Sequence, residues 1–535
     1  MLGGFGGVPH ATQLTRYPLS APFALAIVLL AYGLLPPVQG HPRLLWAVAG
    51  TATALLVWAA ALLAISVWLR RSVAIEVALR PQHYVQACAH SAILIYWGWH
   101  WRQLYDSAYL IAAQVLVAYA IDMLVTWSRR DVYTLGFGPL PIVFSTNLFL
   151  WFKDDWFAWQ FVMIAVAITA KHFLRWDKDG RSAHIFNPSA LALTVLSVGL
   201  LVTGRSDTTW GREIAVTQFY PPQMYLFLFL VALPGQFLFG VTSMTLSAVT
   251  ATYLFGLVYL GLTGTYFFID SYIPIAVFLG MHLLFTDPST SPHTELGRVI
   301  FGAIYGLSVV ALYAVLAWAG LPTFYDKLLQ VPLMNLCIKP IDRIATSSAL
   351  RRFDPARLAR GLAGRRRNLA YMSVWTIVFA AMSATQGVGD GHSGQWLPFW
   401  QDACRNMRPY ACSYVSQLEI TLCRAGSGWA CNELGIRRAE GEGDRIAAIA
   451  SWQRGCDLGF HPACANAAGG TAAEAPKAAP PTVDDYPILL RGSKGPITDR
   501  RPAALYARAC HQGWRDACQL ISTTSLYRAS GFGRI

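Results

Sequence analysis

The chain has 535 residues, of which 55% are hydrophobic and only 13% charged, with a mean hydropathy of +0.40. Soluble domains carry roughly 25% charge, so this composition excludes an ordinary water-soluble fold and points to a polytopic membrane protein. The formal net charge of +13 does not indicate a nucleic-acid partner, because eight arginines cluster between Arg343 and Arg367 and others flank apolar runs, where membrane topology requires them.

A hydrocarbon core about 30 Å thick takes about 20 apolar residues per helix. Polar or arginine-bearing breaks divide residues 18–387 into about thirteen such runs: 18–37, 44–69, 83–101, 107–127, 133–151, 155–173, 184–203, 223–240, 242–263, 266–286, 298–319, 325–342 and 369–387. The expected class is all-α, a transmembrane helical bundle. Pro36-Pro37 and Gly40-His41 do not resemble a cleavage site, so the first run is read as an uncleaved helix. Arg70-Arg71, Arg129-Arg130, the segment KHFLRWDKDGR, Arg298 and the run to Arg367 all fall on one side in this count. That side is expected to be cytoplasmic, with the amino terminus inside and the chain beyond about residue 388 outside.

Trp97, Trp99 and Trp101, with Trp151, Trp156 and Trp159, stand at run ends and read as interfacial belts. Asp122 lies well inside the run YLIAAQVLVAYAIDMLVTW. A carboxylate at that depth is costly and faces a cavity or a partner, which leaves two readings: an ion or proton relay, or a carboxylate satisfied by Arg129 or a helix end. His172, His184, His282 and His293 fall near run ends and read as hydrogen-bonded structural groups rather than haem or metal ligands.

Two matching breaks interrupt the apolar sequence, Asn187-Pro188-Ser189 in HIFNPSALAL and Asp287-Pro288-Ser289 in LFTDPSTSP. Proline fixes φ and removes a donor, while Asx and Ser side chains cap the free amides of a helix start. Capping alone accounts for both. The alternative is that two related helix starts direct their partial positive charge at one shared polar ligand, which requires Asn187 and Asp287 to lie close together.

Cysteine usage then changes abruptly, from Cys88 and Cys337 alone in the first 400 residues to eight beyond them. These eight repeat as CRNMRPYAC, CRAGSGWAC, CDLGFHPAC and CHQGWRDAC, which pair Cys404 with Cys412, Cys423 with Cys431, Cys456 with Cys464, and Cys510 with Cys518. Seven intervening residues suit a disulfide clipping two helices better than zinc ligation, whose paired cysteines usually lie two to four residues apart. Gly426, Gly459 and Gly513 stand three residues after a first cysteine, as a left-handed helix cap requires, and Met407 is the exception. Disulfides and charge topology agree on an exported tail.

The tail resembles the Sel-one-like cysteine-rich helical repeats of exported bacterial proteins over residues 400–468 and 500–522, interrupted by an Ala/Pro-rich insertion at 469–485. The motifs HIFNPSALAL, LFTDPSTSPHTELGRVIFGAIYG and PLMNLCIKPIDR resemble the membrane subunits RnfD and NqrB, of the Rnf complex and the sodium-pumping NADH:quinone oxidoreductase. The resemblance implies a ten-helix core of two similar halves at 83–343, preceded by a two-helix extension at 1–82. An arginine-rich cytoplasmic segment at 344–368, a last helix at 369–387 and the exported region 388–535 follow. It further implies a bacterial inner-membrane subunit of an electron-transport complex that binds riboflavin or FMN, with a quinone as a further cofactor. Asn187, Ser189, Asp287 and Ser289 would then line the flavin or quinone environment, and Asp122 would serve ion relay. The threonine motif that carries covalent FMN in this family is absent: the segment 204–222 contains Thr208 and Thr209 but no such motif, and TLSAVTAT around Thr250 lies within an apolar run. Any flavin is therefore expected to be non-covalent. The partners expected are membrane lipid, other redox subunits and a protein recruited by the exported repeats. The competing functions are a channel or transporter with the same two-half core and a membrane scaffold.

Overall fold

The computed structural model describes residues 20–469, except 179, 220, 270, 359–360, 363, 391, 396, 425–427 and 458–460, together with Ala507. The chain divides into two units. One comprises residues up to 219, 224–252 and 275–380; the other comprises 220–223, 253–274 and the chain from 381.

Several apolar helices of the first unit begin where the sequence places a proline. Pro42–Trp68, Pro81–His100, Pro139–Phe149 and Pro188–Thr203 all carry Pro in their first turn, where its missing N–H costs no hydrogen bond. Gly204, at φ +65°, ends the last of these in the left-handed conformation. Among the described residues, Pro42–Trp68, Ala108–Arg130, Thr242–Thr263 and Glu295–Trp318 are long and apolar enough to cross a membrane. Ala158–Phe173, Pro188–Thr203 and Met224–Phe239 are apolar but shorter.

Among the described residues, four of the expected runs are not single long helices, the first being 18–37, which divides into Ala21–Ala31, the single turn Tyr32–Leu34 and Pro36–Gln39. The run 133–151 contains only the 11-residue helix Pro139–Phe149, and 266–286 only the nine-residue helix Ile275–Leu283. The run 325–342 divides at Cys337 into Val331–Leu336 and Ile338–Ala345. At 1.5 Å per residue an 11-residue helix spans about 16 Å, half of a bilayer core.

Contrary to expectation, the unit is also not wholly helical, because residues in connections and at the starts of the runs 133–151 and 184–203 form two short strand pairs. Ala74–Val77 pairs in parallel with Val132–Leu135, each strand of four residues. Gly136 follows directly, and a Cβ there would lie 2.3 Å from the Ala78 carbonyl oxygen, so the approach of the two chains requires glycine. Arg175–Lys178, within the basic KHFLRWDKDGR segment, and Arg181–His184, which begins at its last residue, form a hairpin. Its turn is held by the Gly180 amide donating to Asp177 Oδ1 at 2.9 Å, with Gly180 at φ +73°.

The second unit packs short helices around Trp400, Ala403, Ala411, Val415, Ala430 and Ala463. Three of the four expected disulfides are observed. They join Cys404–Cys412, Cys423–Cys431 and Cys456–Cys464, with Cα separations of 4.5, 4.7 and 4.6 Å, and indicate an oxidising compartment for this region. The fourth expected bridge is not among them, because Cys510 and Cys518 both lie outside the described residues. The expected caps at Gly426, Gly459 and Gly513 and the Ala/Pro-rich insertion beyond Gly469 lie outside them too. Each observed disulfide bridges the end of one helix to the start of the next, as the C-x7-C spacing predicts. Met407 adopts φ +52° at the position that carries glycine in the other repeats, while the Arg408 amide bonds back to the Ala403 carbonyl at 3.0 Å. The left-handed cap therefore forms even where the side chain opposes it. Between the helices, Arg437 holds buried Glu419 in a two-pronged pair at 2.8 and 2.9 Å, and Asn466 donates to Asn432 at 2.7 Å. Burial, reinforced by the nearby Glu419 charge, pushes the Glu433 carboxyl up to about 7, outweighing the favourable effects of Asn432 and Arg437.

Met407 is 86% exposed, so Met407→Gly sheds the left-handed penalty at little packing cost and is expected to stabilise this unit by about 1 kcal/mol. Thermal unfolding of the oxidised protein measures the gain, and an unchanged or lower midpoint contradicts it. The second expectation concerns pH. Because the folded pKa of Glu433 exceeds its unfolded value of 4.5, the folded state binds more protons between pH 4.5 and 7. Stability from this group is present below the unfolded value and is lost as pH rises through 7, a change on the order of 2–3 kcal/mol. Glu433→Gln should flatten that part of the profile relative to wild type in melts at pH 5, 6, 7 and 8. Parallel profiles for the two proteins would refute the assignment.

Candidate functional site

The first break begins a helix as its sequence requires. Asn187 sits at φ −60°, ψ 120°, and its Oδ1 accepts from the Ala190 amide at 3.1 Å and from the Ser189 hydroxyl at 2.9 Å. That is an N-cap, but Asn187 does more than cap. Its Nδ2 donates to the Leu284 carbonyl at 2.8 Å, and its own amide donates to Asn335 Oδ1 at 3.0 Å. Asn335 in turn donates from Nδ2 to the Thr290 carbonyl at 3.2 Å. Ser145, on the half-length helix Pro139–Phe149, donates to the Ser189 hydroxyl at 3.2 Å.

The second break meets the first. Asp287 Oδ2 lies 2.8 Å from His184 Nε2, three residues before Asn187, and Asp287 Oδ1 accepts from the Ser289 amide at 2.9 Å. Asn187 and Asp287 thus share one hydrogen-bonded neighbourhood, although they do not start equivalent helices. Asp287 caps only the single turn Pro288–Thr290, whereas the long helix Glu295–Trp318 is capped separately by Thr294, whose Oγ1 accepts from the Gly297 amide at 3.0 Å. Asp342 fixes that cap by accepting from Thr294 Oγ1 at 2.7 Å and from the His293 amide. The polar atoms of Asn187, Ser189 and Asp287 are engaged within the protein, so these residues form a clasp between chain segments.

Asp122 is 4% exposed and is paired, though not with Arg129. Its Oδ1 lies 2.7 Å from His172 Nε2 and 3.6 Å from Lys171 Nζ. Arg129 instead donates to the His172 backbone carbonyl and so holds the histidine rather than the carboxylate. The arrangement joins a buried acid to an imidazole and a partly exposed amine, a chain of groups able to pass a proton.

Sequence reasoning missed a buried amide network. Gln114, Asn147 and Gln160 are fully buried. Gln114 and Asn147 exchange hydrogen bonds at 3.1 and 2.7 Å, and Gln160 donates to Gln114 at 3.0 Å. The Phe152 amide, freed where Pro139–Phe149 ends, donates to Gln160 Oε1 at 3.1 Å. The signal is present as polar residues inside apolar runs, but uncharged Gln and Asn lower the hydropathy of a run too little to mark it. The tryptophan clusters also differ from interfacial belts. Trp97 and Trp151 are buried, with Trp97 stacked on Trp101 at 5.0 Å and donating to Thr217, while Trp99 and Trp159 are exposed. Thr208 and Thr209 are buried, and their hydroxyls donate to the Arg205 and Ser206 carbonyls.

No family model, curated protein or solved structure matches the chain.

Asn335 serves two backbone groups, so Asn335→Ala is expected to leave the Asn187 amide and the Thr290 carbonyl unpaired at a cost of about 2–4 kcal/mol. A fall in the detergent-solubilised melting midpoint larger than that of Asn187→Ala tests the ranking, and an unchanged midpoint rules out the clasp as a source of stability.

Proposed function

We infer that the chain is the membrane subunit of an electron-transport complex of RnfD/NqrB type. One observation carries the reading. The three motifs on which the resemblance rests, separated by as many as 148 residues, meet through the Asn187, Asp287 and Asn335 side chains. On this reading the core spans 83–343 as two similar five-helix halves. The thirteen runs cross or enter a bacterial inner membrane, with the amino terminus cytoplasmic and the disulfide-clipped region periplasmic. Asn187, Ser189, Asp287 and Ser289 shape the backbone around the flavin or quinone position instead of reaching out to ligate it. Asp122, His172 and Lys171 supply charge movement that accompanies electron transfer. Donor and acceptor proteins are partner subunits, and the Sel-one-like repeats provide a surface for recruiting one.

A transporter reading draws on the two half-length helices. Pro139–Phe149 and Ile275–Leu283 both end in buried irregular backbone, the arrangement that places substrate sites between broken helices. Bound cofactor separates the two. The purified protein is expected to show flavin absorbance that bleaches on reduction and leaves with the supernatant after denaturation, because the Thr208 and Thr209 hydroxyls are committed to their own turn. A fluorescent band surviving a denaturing gel would contradict non-covalent attachment. Absence of flavin and quinone, together with solute flux in liposomes, would favour the transporter.

A further inference from the structure

The basic residues at one end of the first unit are not all accounted for by the fold. Arg129 and Arg130 close the helix Ala108–Arg130, and Arg129 donates to the His172 carbonyl while lying 4.7 Å over the Phe173 ring. Arg175 opens the neighbouring hairpin and donates from Nη1 to the Lys171 carbonyl at 3.4 Å. Its Nε and Nη2 donate to the hydroxyl and carbonyl of Ser182 at 2.9 and 2.7 Å. Two guanidiniums are thus held on successive carbonyls at the end of the helix Ala158–Phe173. Arg80 arrives from a third segment, immediately before Pro81. Partial burial lowers Arg175 from its ordinary value, and the like charges of Arg130, Arg129 and Arg80 lower it further, so the four side chains share one field.

A structural role covers only part of this cluster. Positive charge is favourable at a helix C-terminus, which suits Arg129, Arg130 and the donors to the Lys171 and His172 carbonyls. It is unfavourable at a helix N-terminus, where Arg80 stands as the residue that caps Pro81–His100. Membrane topology asks for basic residues near the ends of runs but not that four of them converge. Nor does the protein neutralise them. Among the described residues the ion pairs of arginine fall elsewhere, and the adjacent Asp131 lies 3.6 Å from Arg71 instead. A guanidinium keeps its proton, so the repulsion is not relieved by titration. All four are exposed, and the planar fork of a guanidinium matches a phosphate.

The surroundings select the source of that phosphate. Leu79, beside Arg80, and Phe173 and Leu174, beside Arg175, are exposed apolar side chains. Ala108–Arg130 is long and apolar enough to cross a membrane, so its last turn falls at the depth of lipid headgroups. A soluble phosphate would engage the arginines and leave the apolar residues bare, whereas a phospholipid engages both. A zwitterionic headgroup would carry a further cation into the cluster, and a net anionic one would not.

We propose that Arg80, Arg129, Arg130 and Arg175 bind the phosphate headgroup of an anionic phospholipid whose acyl chains lie along Phe173 and Leu174. None of the four arginines is assigned to electron transfer, so the site stands or falls apart from that reading. The test is native mass spectrometry of the detergent-purified, delipidated full chain titrated with dioleoyl phosphatidylglycerol, with dioleoyl phosphatidylcholine as the control. A basic side chain near an anionic headgroup is worth about fivefold in affinity, so the first phosphatidylglycerol should bind at least about tenfold more tightly than phosphatidylcholine. Arg80→Gln combined with Arg130→Gln should weaken it about twentyfold, and Arg130→Gln alone, which serves if the double variant fails to fold, about fivefold. Arg351→Gln with Arg352→Gln, exposed arginines that do not contribute to the field at Arg175, should change it less than about twofold. Equal binding of the two lipids, or an equal loss in the Arg351 and Arg352 variant, would overturn the proposal. Displacement of phosphatidylglycerol by inorganic phosphate at equal concentration would overturn it too and assign the arginines to a soluble anion.

Discussion

The first unit depends on one constraint, the need of every backbone N–H and C=O removed from water to find a partner inside the protein. Continuous helices meet it automatically. Pro139–Phe149, Ile275–Leu283 and Val331–Leu336 do not, because each stops inside the apolar mass. Side chains from elsewhere in the sequence complete them. Gln218 donates to the Leu148 carbonyl, Asn187 to Leu284, Asn335 to Thr290, and Thr194 to Leu328, at 2.7 to 3.2 Å. Gln160 supplies the acceptor for the Phe152 amide. These polar residues are set at the places where helices break, and the breaks bring segments about 100 residues apart into contact.

Buried charges follow the same logic with higher stakes. Asp122, Asp287 and Asp326 each have a cationic or imidazole neighbour within 3.2 Å: His172, His184 and Lys327. Removing one partner from such a pair strands the other, so each pair resists piecemeal change even where it adds little net stability. The second unit solves a different problem. Its helices are 9 to 14 residues long and present small faces, too little apolar area to hold themselves together. Disulfides take over part of that work. Close packing takes another part: a Cβ at Gly435 would lie 2.4 Å from the Trp452 ring, and one at Gly455 would lie 2.8 Å from the Ala463 side chain.

How much of this the sequence showed follows from range. Signals confined to one segment were legible: the limits of the 242–263 helix agree residue for residue, and the C-x7-C spacing anticipated the three described disulfides, with Cys510 and Cys518 beyond the described residues. The proximity of Asn187 and Asp287 was legible because both breaks share one local chemistry. Hydropathy could not show that the runs 133–151 and 266–286 break, since most of their irregular backbone is as apolar as the helices beside it, and in 325–342 the charges of Asp326 and Lys327 sit at the run's start, where an interface would also place them. Nor could it find Lys171 and His172 as partners of Asp122, because the pairing spans 50 residues and charge near a run end looks the same whether it faces water or a buried acid. The strand pair Ala74–Val77 with Val132–Leu135 was hidden for the same reason, each strand being four residues long and the partners nearly 60 apart.

Hydrogen-bond saturation separates two kinds of buried polar site that sequence alone cannot tell apart. At the clasp, acceptors and donors are consumed by backbone groups whose positions the fold has already fixed, so a ligand there would have to displace a structural bond and repay its cost. Gln236 and His282 are as deeply buried, yet the Gln236 side-chain amide and the His282 Nε2 have no hydrogen-bond partner among the described residues. The conspicuous Asx-Pro-Ser breaks therefore account for architecture, because the bonds their side chains make are spent on groups of this chain.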